Sequence, residues 1–252
     1  MKHLTESFPI EPRHADYDVV IPCYNRGHVV ADAVASVLAQ DHAPARVVVV
    51  DDGSRDGSAA IVRGLAAANP GRVEAVAMPR NAGASHARNV GAGLCGSDWI
   101  AFLDSDDVWL PGAARALLGS QATAGADIVV GHFARVEQGG EPGDPECGWD
   151  GGDIRAALLS GGVIGPSWSV VRRTAVYAVG GFDPSFHNCN DWDFYTRAAA
   201  AGARFHRIDT AVALYRTVAG SRLVNDTAIG AENARRVRAH RYFDGMPLLE
   251  IA

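Results

Sequence analysis

Lysine is almost absent from this chain of 252 residues: Lys2 is the only one, and arginine carries the rest of the positive charge. The net charge is -6, and this acidic balance argues against general nucleic-acid binding, because that activity needs a basic surface. The near-exclusive use of arginine, together with abundant alanine, indicates a GC-rich bacterial coding bias.

Cysteines and long apolar runs are scarce as well. The four cysteines are scattered, without a CxxC pair or a Cys/His spacing typical of metal sites: Cys23, Cys95, Cys147 and Cys189. We therefore expect a reduced, cytoplasmic protein. No apolar run reaches membrane-spanning length and no signal-peptide apolar segment begins the chain, so we expect any membrane contact to be peripheral.

Glycine-rich nucleotide-binding loops are also missing. The first predicted strand–helix turn has no GxGxxG, which argues against a dinucleotide-binding oxidoreductase. A glycine-rich phosphate loop that contains lysine is absent too, which argues against a sugar nucleotidyltransferase.

What the sequence does contain is a regular alternation of apolar, β-branched runs with segments of helical spacing. The predicted strands are residues 17–21, 46–50, 72–78 and 99–103, and the predicted helices are 29–40, 58–68 and 81–92. This alternation predicts an α/β fold with a mostly parallel, Rossmann-like central sheet flanked by helices. In such sheets, ligands bind beyond the carboxyl ends of the strands.

Three polar clusters follow predicted strands, at residues 22–27, 51–58 and 104–107. The last cluster places three carboxylates within four positions. Mg²⁺ and Mn²⁺ select oxygen-rich clusters and bridge them to substrate phosphates. Taken alone, the cluster is also compatible with an acidic turn or a helix N-cap. Because all three clusters are expected at one edge of the sheet, we favour a binding site.

The second half of the chain is less regular. After a predicted strand and a loop rich in glycine and proline, short strands and helices follow without a repeating order. The predicted strands are 127–136, 168–171 and 211–216, and the predicted helices are 174–180, 191–200 and 231–242. Arginines 235, 236 and 238 on the last helix are favoured as a solvated helix face, with contact to an anionic membrane as the alternative.

Six motifs, in this order, resemble those of the inverting nucleotide-sugar glycosyltransferases of family 2, which have the GT-A fold. They lie within residues 18–222 and read Val-Val-Ile-Pro-Cys-Tyr-Asn-Arg, Val-Val-Asp-Asp-Gly-Ser-Arg-Asp-Gly-Ser, Asn-Ala-Gly-Ala-Ser-His-Ala-Arg-Asn, Phe-Leu-Asp-Ser-Asp-Asp, Gly-Gly-Phe-Asp and Asn-Asp-Trp-Asp. The resemblance implies one GT-A domain of residues 1–252. Within it, 17–110 would form the nucleotide-binding half, 111–222 the acceptor half and 223–252 a helical tail.

The resemblance also implies a donor site. Tyr24, beside Pro22, would flank the nucleotide base, and Asp52 would accept a hydrogen bond from the base imide, which favours uracil or thymine. Arg88 would meet the nucleotide or the diphosphate. Taken alone, these residues also fit an ordinary strand–helix turn and a surface arginine. The expected donor-binding residues are Pro22, Tyr24, Asn25, Arg26, Asp51, Asp52, Arg88, Asp104 and Ser105.

Asp104 and Asp106 correspond to the family's DxD motif. Asp106 is expected to bind Mn²⁺ or Mg²⁺ directly, and Asp104 to contact the ribose or a metal-bound water. The metal would neutralise the diphosphate leaving group. Transfer with inversion also needs a base that takes the acceptor's proton, and the matching position is Asp191, at the start of a predicted helix.

Acceptor contacts are expected from the region around this base. The candidates are Trp168, His187, Asn190 and Trp192, although core packing is favoured for the two tryptophans and solvation for the histidine. Two positions depart from the family pattern. Asn190 stands where the family commonly has Glu, and Val218 stands where many members have a histidine that closes over the diphosphate.

The predicted activity is therefore the transfer of a sugar from a UDP- or dTDP-sugar to a hydroxyl acceptor. The acceptor would be a carbohydrate, a lipid-linked molecule or a small molecule, and a homodimer is compatible with the sequence. The alternative is a non-catalytic nucleotide-sugar-binding or scaffold protein with the same fold. Loss of Asp106 or Asp191 would have supported that alternative, and both residues are present.

Overall fold

Nine strands form one mixed sheet in the computed structural model, which describes residues 15–137, 140–217 and 227–246. Their order is β3-β2-β1-β4-β8-β6-β9-β5, with β7 beside β6. The strands are β1 Tyr17–Cys23, β2 Arg46–Asp51, β3 Val73–Ala77, β4 Trp99–Phe102, β5 Val108–Trp109, β6 Ile128–Glu137, β7 Pro145–Glu146, β8 Ser169–Arg172 and β9 Phe205–Thr217. The helices are α1 Val30–Leu38, α2 Ser58–Ala68, α3 Ala84–Leu94, α4 Ala113–Leu118, α5 Ser120–Thr123, α6 Ile154–Ser160, α7 Arg173–Ala178, α8 Asn190–Ala200 and α9 Thr227–Arg238, and 3₁₀ turns occupy Pro166–Trp168 and Arg241–Phe243.

Helices cover both faces of the sheet. Successive side chains of a strand point to opposite sides, and here the side chains on both sides are apolar and need to be buried. Val19 and Ile21 of β1 pack with α1, α2 and α4 on one face, whereas Val20 packs with α3 on the other. α3 lies so close to β1 that a Cβ added at Gly91 would stand 2.4 Å from Val20 Cγ1. Burial on both faces explains why these strands are continuous apolar runs in the sequence.

The N-terminal half of the sheet is parallel, as the sequence predicts. β1 pairs in parallel with β2 and with β4, and β2 pairs in parallel with β3. The carboxyl ends of β1, β2 and β4 therefore meet at one edge. The three polar clusters that follow these strands lie along that edge, which confirms the α/β architecture expected for them.

The C-terminal half of the sheet is mixed. β8 is antiparallel to both β4 and β6, and β5 is antiparallel to β9, whereas β6 and β9 are parallel. β9 begins at Phe205 rather than at residue 211, because its first residues already pair with β6. Arg207 and Asp209 interrupt its apolar pattern, and the register shifts between Val130 and Phe133. The sequence pattern predicted neither this extension nor β5, β7 and α4–α6.

The C-terminal helix α9 is fastened to the domain by its arginines. Arg236 donates to the Ser185 carbonyl oxygen, and Arg238 donates to the Leu159 carbonyl oxygen, both at 3.2 Å. The guanidinium groups of these two arginines bind the protein itself, whereas Arg235 is well exposed and pairs with Glu232. Contact of this helix with a membrane stays a prediction. Within the described ranges, no helix combines the length and apolarity that a membrane span requires.

Candidate functional site

The loops that follow β1 and β2 are bound to each other. Asn25 adopts left-handed backbone angles, with φ 52°, which asparagine tolerates better than most residues. Its backbone N–H donates to Ser54 Oγ at 2.9 Å, and its Oδ1 accepts from the Arg55 N–H at 2.8 Å. The Arg26 N–H donates to Ser58 Oγ at 2.9 Å. Asn25 and Arg26, both predicted donor-binding residues, are therefore held against the second loop.

Asp52 fastens the loop that precedes α3. Its Oδ1 accepts from the Ala82 N–H and its Oδ2 from the Gly83 N–H, both at 2.8 Å, and the residue is 2% exposed. Burial raises the pKa of Asp52, and the two amide donors oppose that shift. Both carboxylate oxygens of Asp52 therefore bind the backbone in the structure. Its contact with a nucleotide base stays a prediction.

The other residues predicted to bind the base differ in exposure. Tyr24 is 38% exposed at the end of β1, where its ring is accessible to a flat ligand. Pro22 is buried inside β1, so its contact with a ligand stays a prediction. Asp51 accepts from the Ser54 N–H at 3.2 Å through Oδ2, while its buried Oδ1 has no hydrogen-bond partner among the described residues. An unpaired buried acceptor is costly and is suited to a donor N–H on a ligand.

The acidic turn after β4 gives its two DxD carboxylates different arginine partners. Asp104 Oδ1 accepts from Arg88 Nη2 at 2.5 Å, and Asp106 Oδ2 accepts from Arg26 Nε at 3.3 Å. Their side chains remain 31% and 20% exposed, whereas Ser105 between them is buried. Burial and the neighbouring charge of Asp104 raise the pKa of Asp106, and Arg26 opposes that shift. Both carboxylates thus keep accessible surface.

Asp107, to which the sequence assigned no role, holds the acidic turn in place. Its Oδ1 accepts from the Arg216 N–H of β9 at 3.1 Å, and its Oδ2 accepts from Ser167 Oγ at 2.5 Å. Ser167 Oγ in turn accepts from the Asp104 N–H at 3.1 Å. Burial, followed by the charges of Asp104 and Asp106, raises the pKa of Asp107. Sequence reasoning missed Ser167, because a serine in a Gly-Pro-Ser turn resembles any loop residue.

Arg88 is buried behind the acidic turn and is only 4% exposed. Besides Asp104, it binds Asn190, whose Oδ1 accepts from Nη1 at 2.9 Å. The guanidinium also lies over the Phe182 ring, with Cζ 5.1 Å from the ring centroid. Nη1 and Nη2 each make one of these hydrogen bonds, and the buried Nε has no partner among the described residues. A direct contact of Arg88 with the nucleotide stays a prediction.

Asp191, the predicted base, is the second residue of α8. Its Oδ1 accepts from the Trp192 N–H at 2.8 Å. Burial raises the pKa of Asp191, the Trp192 amide and the Arg88 charge oppose that shift, and the charge of Asp104 adds to it. A raised pKa makes the carboxylate a better proton acceptor, which suits general-base chemistry. Since Arg88 touches Asn190, the structure brings Asp191 to the same sheet edge as the acidic turn.

The donor set of the acidic turn fits a divalent cation that completes its coordination with substrate. Among the described residues, no group of three or more His, Cys, Asp or Glu side chains is arranged to hold a metal. Asp104 and Asp106 supply two carboxylates with accessible oxygens. Mg²⁺ and related ions are often held by one or two carboxylates plus phosphate oxygens and waters. A dedicated protein cage is therefore not required.

The four predicted acceptor contacts differ in their burial and in their hydrogen bonds. Trp192 is 5% exposed and donates from Nε1 to the Leu158 carbonyl oxygen at 2.6 Å, so it packs in the core, which is the role that the sequence favours for it. The Arg238 guanidinium, 4.8 Å from its ring centroid, covers it further. Asn190 is occupied by Arg88, whereas His187 is exposed.

Trp168 belongs to an aromatic cluster between the acidic turn and β9. It stacks on Phe133 with centroids 4.1 Å apart, and it meets Tyr215 edge-on at 5.6 Å. Trp168 is half-buried, and it directly follows Ser167, the residue that binds the acidic turn. Its contact with an acceptor stays a prediction. Val218 lies outside the described residues.

A sequence model described as Glycosyl transferase family 2 matches residues 18–177. The chain is 31% identical over 203 residues to the pre-mycofactocin glycosyltransferase of Mycobacterium tuberculosis, covering 78% of this chain and 42% of that protein. The first matching curated relatives are longer: the chain spans 35% to 58% of their lengths.

Solved structures share the fold at 20% sequence identity. Staphylococcus aureus TarS, residues 1–349, in complex with UDP-GlcNAc matches with a TM-score of 0.65 over 82% of this chain and 60% of that one. The mannosyltransferase PcManGT from Pyrobaculum calidifontis, in complex with GDP-Man and Mn²⁺, matches with a TM-score of 0.64 over 86% and 62%. These matches confirm the predicted GT-A fold.

Proposed function

Because the chain belongs to glycosyl transferase family 2, we propose that it moves a sugar from a nucleoside-diphosphate sugar to a hydroxyl acceptor, with inversion at the anomeric carbon. One observation carries the proposal: Arg88 binds Asp104 with one nitrogen and Asn190 with the other. Asn190 precedes Asp191 in the chain. The candidate base Asp191 is therefore connected through Arg88 to Asp104, which is expected to face the diphosphate.

The proposed donor is a UDP- or dTDP-sugar bound at the loops after β1 and β2. Tyr24 offers an exposed ring to the base, and Asp51 offers an unpaired carboxylate oxygen. Uracil and thymine each present one imide N–H, which a carboxylate can accept. UDP-GlcNAc, which is bound in TarS, belongs to this donor class, whereas GDP-Man, which is bound in PcManGT, is the donor to compare with it.

We propose that Asp104 and Asp106 hold Mn²⁺ or Mg²⁺ together with the donor diphosphate. When bound, the ion would offset the negative charge that develops on the leaving group. Arg26 and Arg88 keep these two carboxylates apart and oriented, since each binds one of them. Arg26 is 22% exposed, so part of its side chain also faces the solvent side of the turn.

Asp191 would act as the general base. As the acceptor oxygen forms its bond to the anomeric carbon, the bond from that carbon to the diphosphate oxygen breaks, and the electron pair leaves with the diphosphate. The hydroxyl proton passes to the Asp191 carboxylate. The hydrogen bond from the Trp192 N–H to Oδ1 leaves Oδ2 to receive that proton.

The division of the chain follows from these roles. We propose that residues 17–110 bind the nucleotide, that 111–222 shape the acceptor side, and that 223–252 form a supporting tail. The acceptor would be a carbohydrate, a lipid-linked molecule or a small molecule with a free hydroxyl. Trp168 and His187 remain its candidate contacts, and homodimer formation stays a prediction.

The proposal is tested by incubating the protein with Mn²⁺ and a panel of UDP-, dTDP- and GDP-sugars while nucleoside diphosphate release is followed. We expect one donor to be hydrolysed slowly and metal-dependently, because water can replace an absent acceptor. Binding of a sugar nucleotide without any turnover, even with an acceptor library, would favour the non-catalytic alternative. If none of the panel binds, the assignment as a transferase fails.

A further inference from the structure

The guanidinium of Arg88 joins three elements that are far apart in the sequence. From α3 it donates 2.5 Å to Asp104, after β4, and 2.9 Å to Asn190, the first residue of α8. It is buried, with the Phe182 ring beneath it. A planar guanidinium bound at both ends has little freedom. The distance between the acidic turn and the start of α8 is therefore set by the spacing of the two terminal nitrogens of Arg88.

The charge balance around Arg88 depends on Asn190 being neutral. Asn190 accepts a hydrogen bond without adding a charge, so the positive charge of Arg88 is balanced by Asp104 and Asp191. A carboxylate at position 190 would compete with Asp104 for the guanidinium. It would also place a second negative charge directly beside Asp191.

We infer that Arg88 is a positioning residue that holds Asp191 at a fixed place relative to Asp104, and that it acts through the side-chain oxygen of Asn190. The inference rests on the proposed function, because it takes Asp191 as the base. Arg88 does not need to touch the substrate in this role. It keeps the carboxylate of Asp191 at a constant distance from Asp104, the carboxylate that is expected to face the diphosphate.

The first test is Asn190→Ala, which removes the oxygen that Arg88 binds but leaves the fork on Asp104. We expect the dissociation constant for UDP, dTDP or GDP with Mn²⁺ to change by less than about twofold. We expect turnover of the corresponding sugar nucleotide to fall by roughly tenfold or more, because small misplacements of a catalytic group are costly. Calorimetric titration and nucleotide release measure the two quantities on the same preparation.

Asn89→Ala is the matched control. Asn89 is the next residue on α3, and its side chain donates to the Phe182 carbonyl oxygen at 2.7 Å and accepts from the Phe182 N–H at 2.8 Å. It fastens α3 to the turn that carries Phe182, and among the described residues its side chain makes no hydrogen bond to Asp104 or to α8. We expect a lower melting temperature for this variant, as for Asn190→Ala, but turnover per folded molecule within about twofold of the unsubstituted protein.

The second variant, Asn190→Asp, separates position from charge. It keeps an oxygen for Arg88, so most of the turnover at alkaline pH should return. The added negative charge should move the acidic limb of the pH–rate profile to higher pH. Arg88 from α3, Asp104 from the acidic turn and the Trp192 N–H act on Asp191, and burial together with the charge of Asp191 in turn raises the pKa of Cys189 and of Tyr195 in its own segment.

The outcomes separate the two claims. If the unsubstituted protein binds no nucleotide and turns over no sugar nucleotide, the proposed function fails, and the inference fails with it. If it is active and Asn190→Ala matches Asn89→Ala in turnover as well as in stability, Arg88 has a structural role only and the inference alone is overturned. An Asn190→Asp profile with an unmoved acidic limb would contradict the charge argument.

Discussion

Carboxylates accept from backbone N–H groups in both halves of this molecule, as Asp153 and Asp183 do in the second half, but arginines that donate to loop carbonyl oxygens are concentrated in the C-terminal half. In the N-terminal half, side-chain oxygens accept from backbone N–H groups: Asp18 from Gly96 and Ser97, Asn25 from Arg55, Asp51 from Ser54, and Asp52 from Ala82 and Gly83. In the C-terminal half, arginines donate to backbone carbonyl oxygens: Arg155 to Tyr242 and Asp244, Arg172 to Ala126, Arg197 to Val179, and Arg238 to Leu159 and Ser160.

The reason lies in which helix end each loop meets. Several N-terminal loops run from a strand into a helix start, where N–H groups lack partners, and short acidic or hydroxyl side chains satisfy them. Many of the C-terminal contacts are made at helix ends, where carbonyl oxygens lack partners. Val179 follows α7, and Leu159 and Ser160 end α6. A chain with almost no lysine satisfies them with the multiple donors of arginine.

The largest effects are expected when one carboxylate in each half is replaced by an amide. Asp191→Asn should lower transfer by about 10²–10⁴-fold while leaving nucleotide binding intact, since a general base contributes an effect of that size. Asp106→Asn should instead weaken Mn²⁺-dependent nucleotide binding, because it removes a candidate metal ligand. Turnover and calorimetric titration distinguish them. Loss of nucleotide binding in Asp191→Asn would contradict the division of roles.

Asp52→Ala tests the accepting type of loop contact. It leaves the Ala82 and Gly83 N–H groups without their partner, so we expect the free energy of unfolding to fall by about 2–4 kcal/mol. Nucleotide affinity should fall as well, because the disturbed loop adjoins the proposed donor site. Urea denaturation and nucleotide titration measure the two effects. A stable variant with unchanged affinity would show that the loop does not depend on this carboxylate.

Arg238→Ala tests the donating type. We expect a loss of about 1–3 kcal/mol of unfolding free energy, because two carbonyl oxygens and the face of Trp192 lose the guanidinium. Arg238→Lys should recover only part of it, since an ammonium cannot reproduce the fork. Nucleotide affinity should stay unchanged in both variants. Full recovery by lysine would mean that charge, rather than the multiple donors of arginine, holds this contact.

The ionised carboxylate of Asp191, which the proposed reaction needs, should lower the stability of the folded protein, and Asp191→Asn tests this. Burial raises the folded-state pKa of Asp191, so the folded protein holds that proton more tightly than the unfolded chain. The resulting stabilisation is present at low pH and is lost as pH rises through the folded pKa. At neutral pH, Asp191→Asn should therefore raise the unfolding free energy by about 0.5–2 kcal/mol. Denaturation at pH 7 and below about pH 4 should show the gain disappear with acid.

The smallest effects are expected where the two halves should not differ. Arg46 pairs with Glu74 in the N-terminal half, and Arg235 with Glu232 in α9, and these side chains are well exposed in both pairs. Each arginine-to-alanine change should alter the unfolding free energy by about 0–1 kcal/mol, because solvent and salt screen such pairs. A loss above this range in one variant only would show an asymmetry that the hydrogen bonds do not explain.

The sequence predicted the N-terminal half of the fold far better than the C-terminal half. The strands at 17–21, 46–50 and 99–103 were predicted within two residues, because burial on both faces requires continuous apolar runs. β9 was shortened to 211–216, because Arg207 and Asp209 lie in a strand that is only half-buried. Trp192 shows the limit for single residues: nothing local distinguishes a core tryptophan from one on a binding surface.

By itself, the sequence determined the parallel half of the sheet and the family, and it selected Asp104, Asp106 and Asp191 as candidate site residues, because strand periodicity and motif order are local properties of the chain. Only the tertiary structure decided that Arg88 is buried between Asp104 and Asn190, that Ser167 and Asp107 hold the acidic turn, and that Arg236 and Arg238 bind the protein itself. These contacts join residues 60 or more positions apart in several cases, such as Ser167 with Asp107. An arginine or a serine carries no local sign of such a distant partner, because the same side chain serves equally well in water.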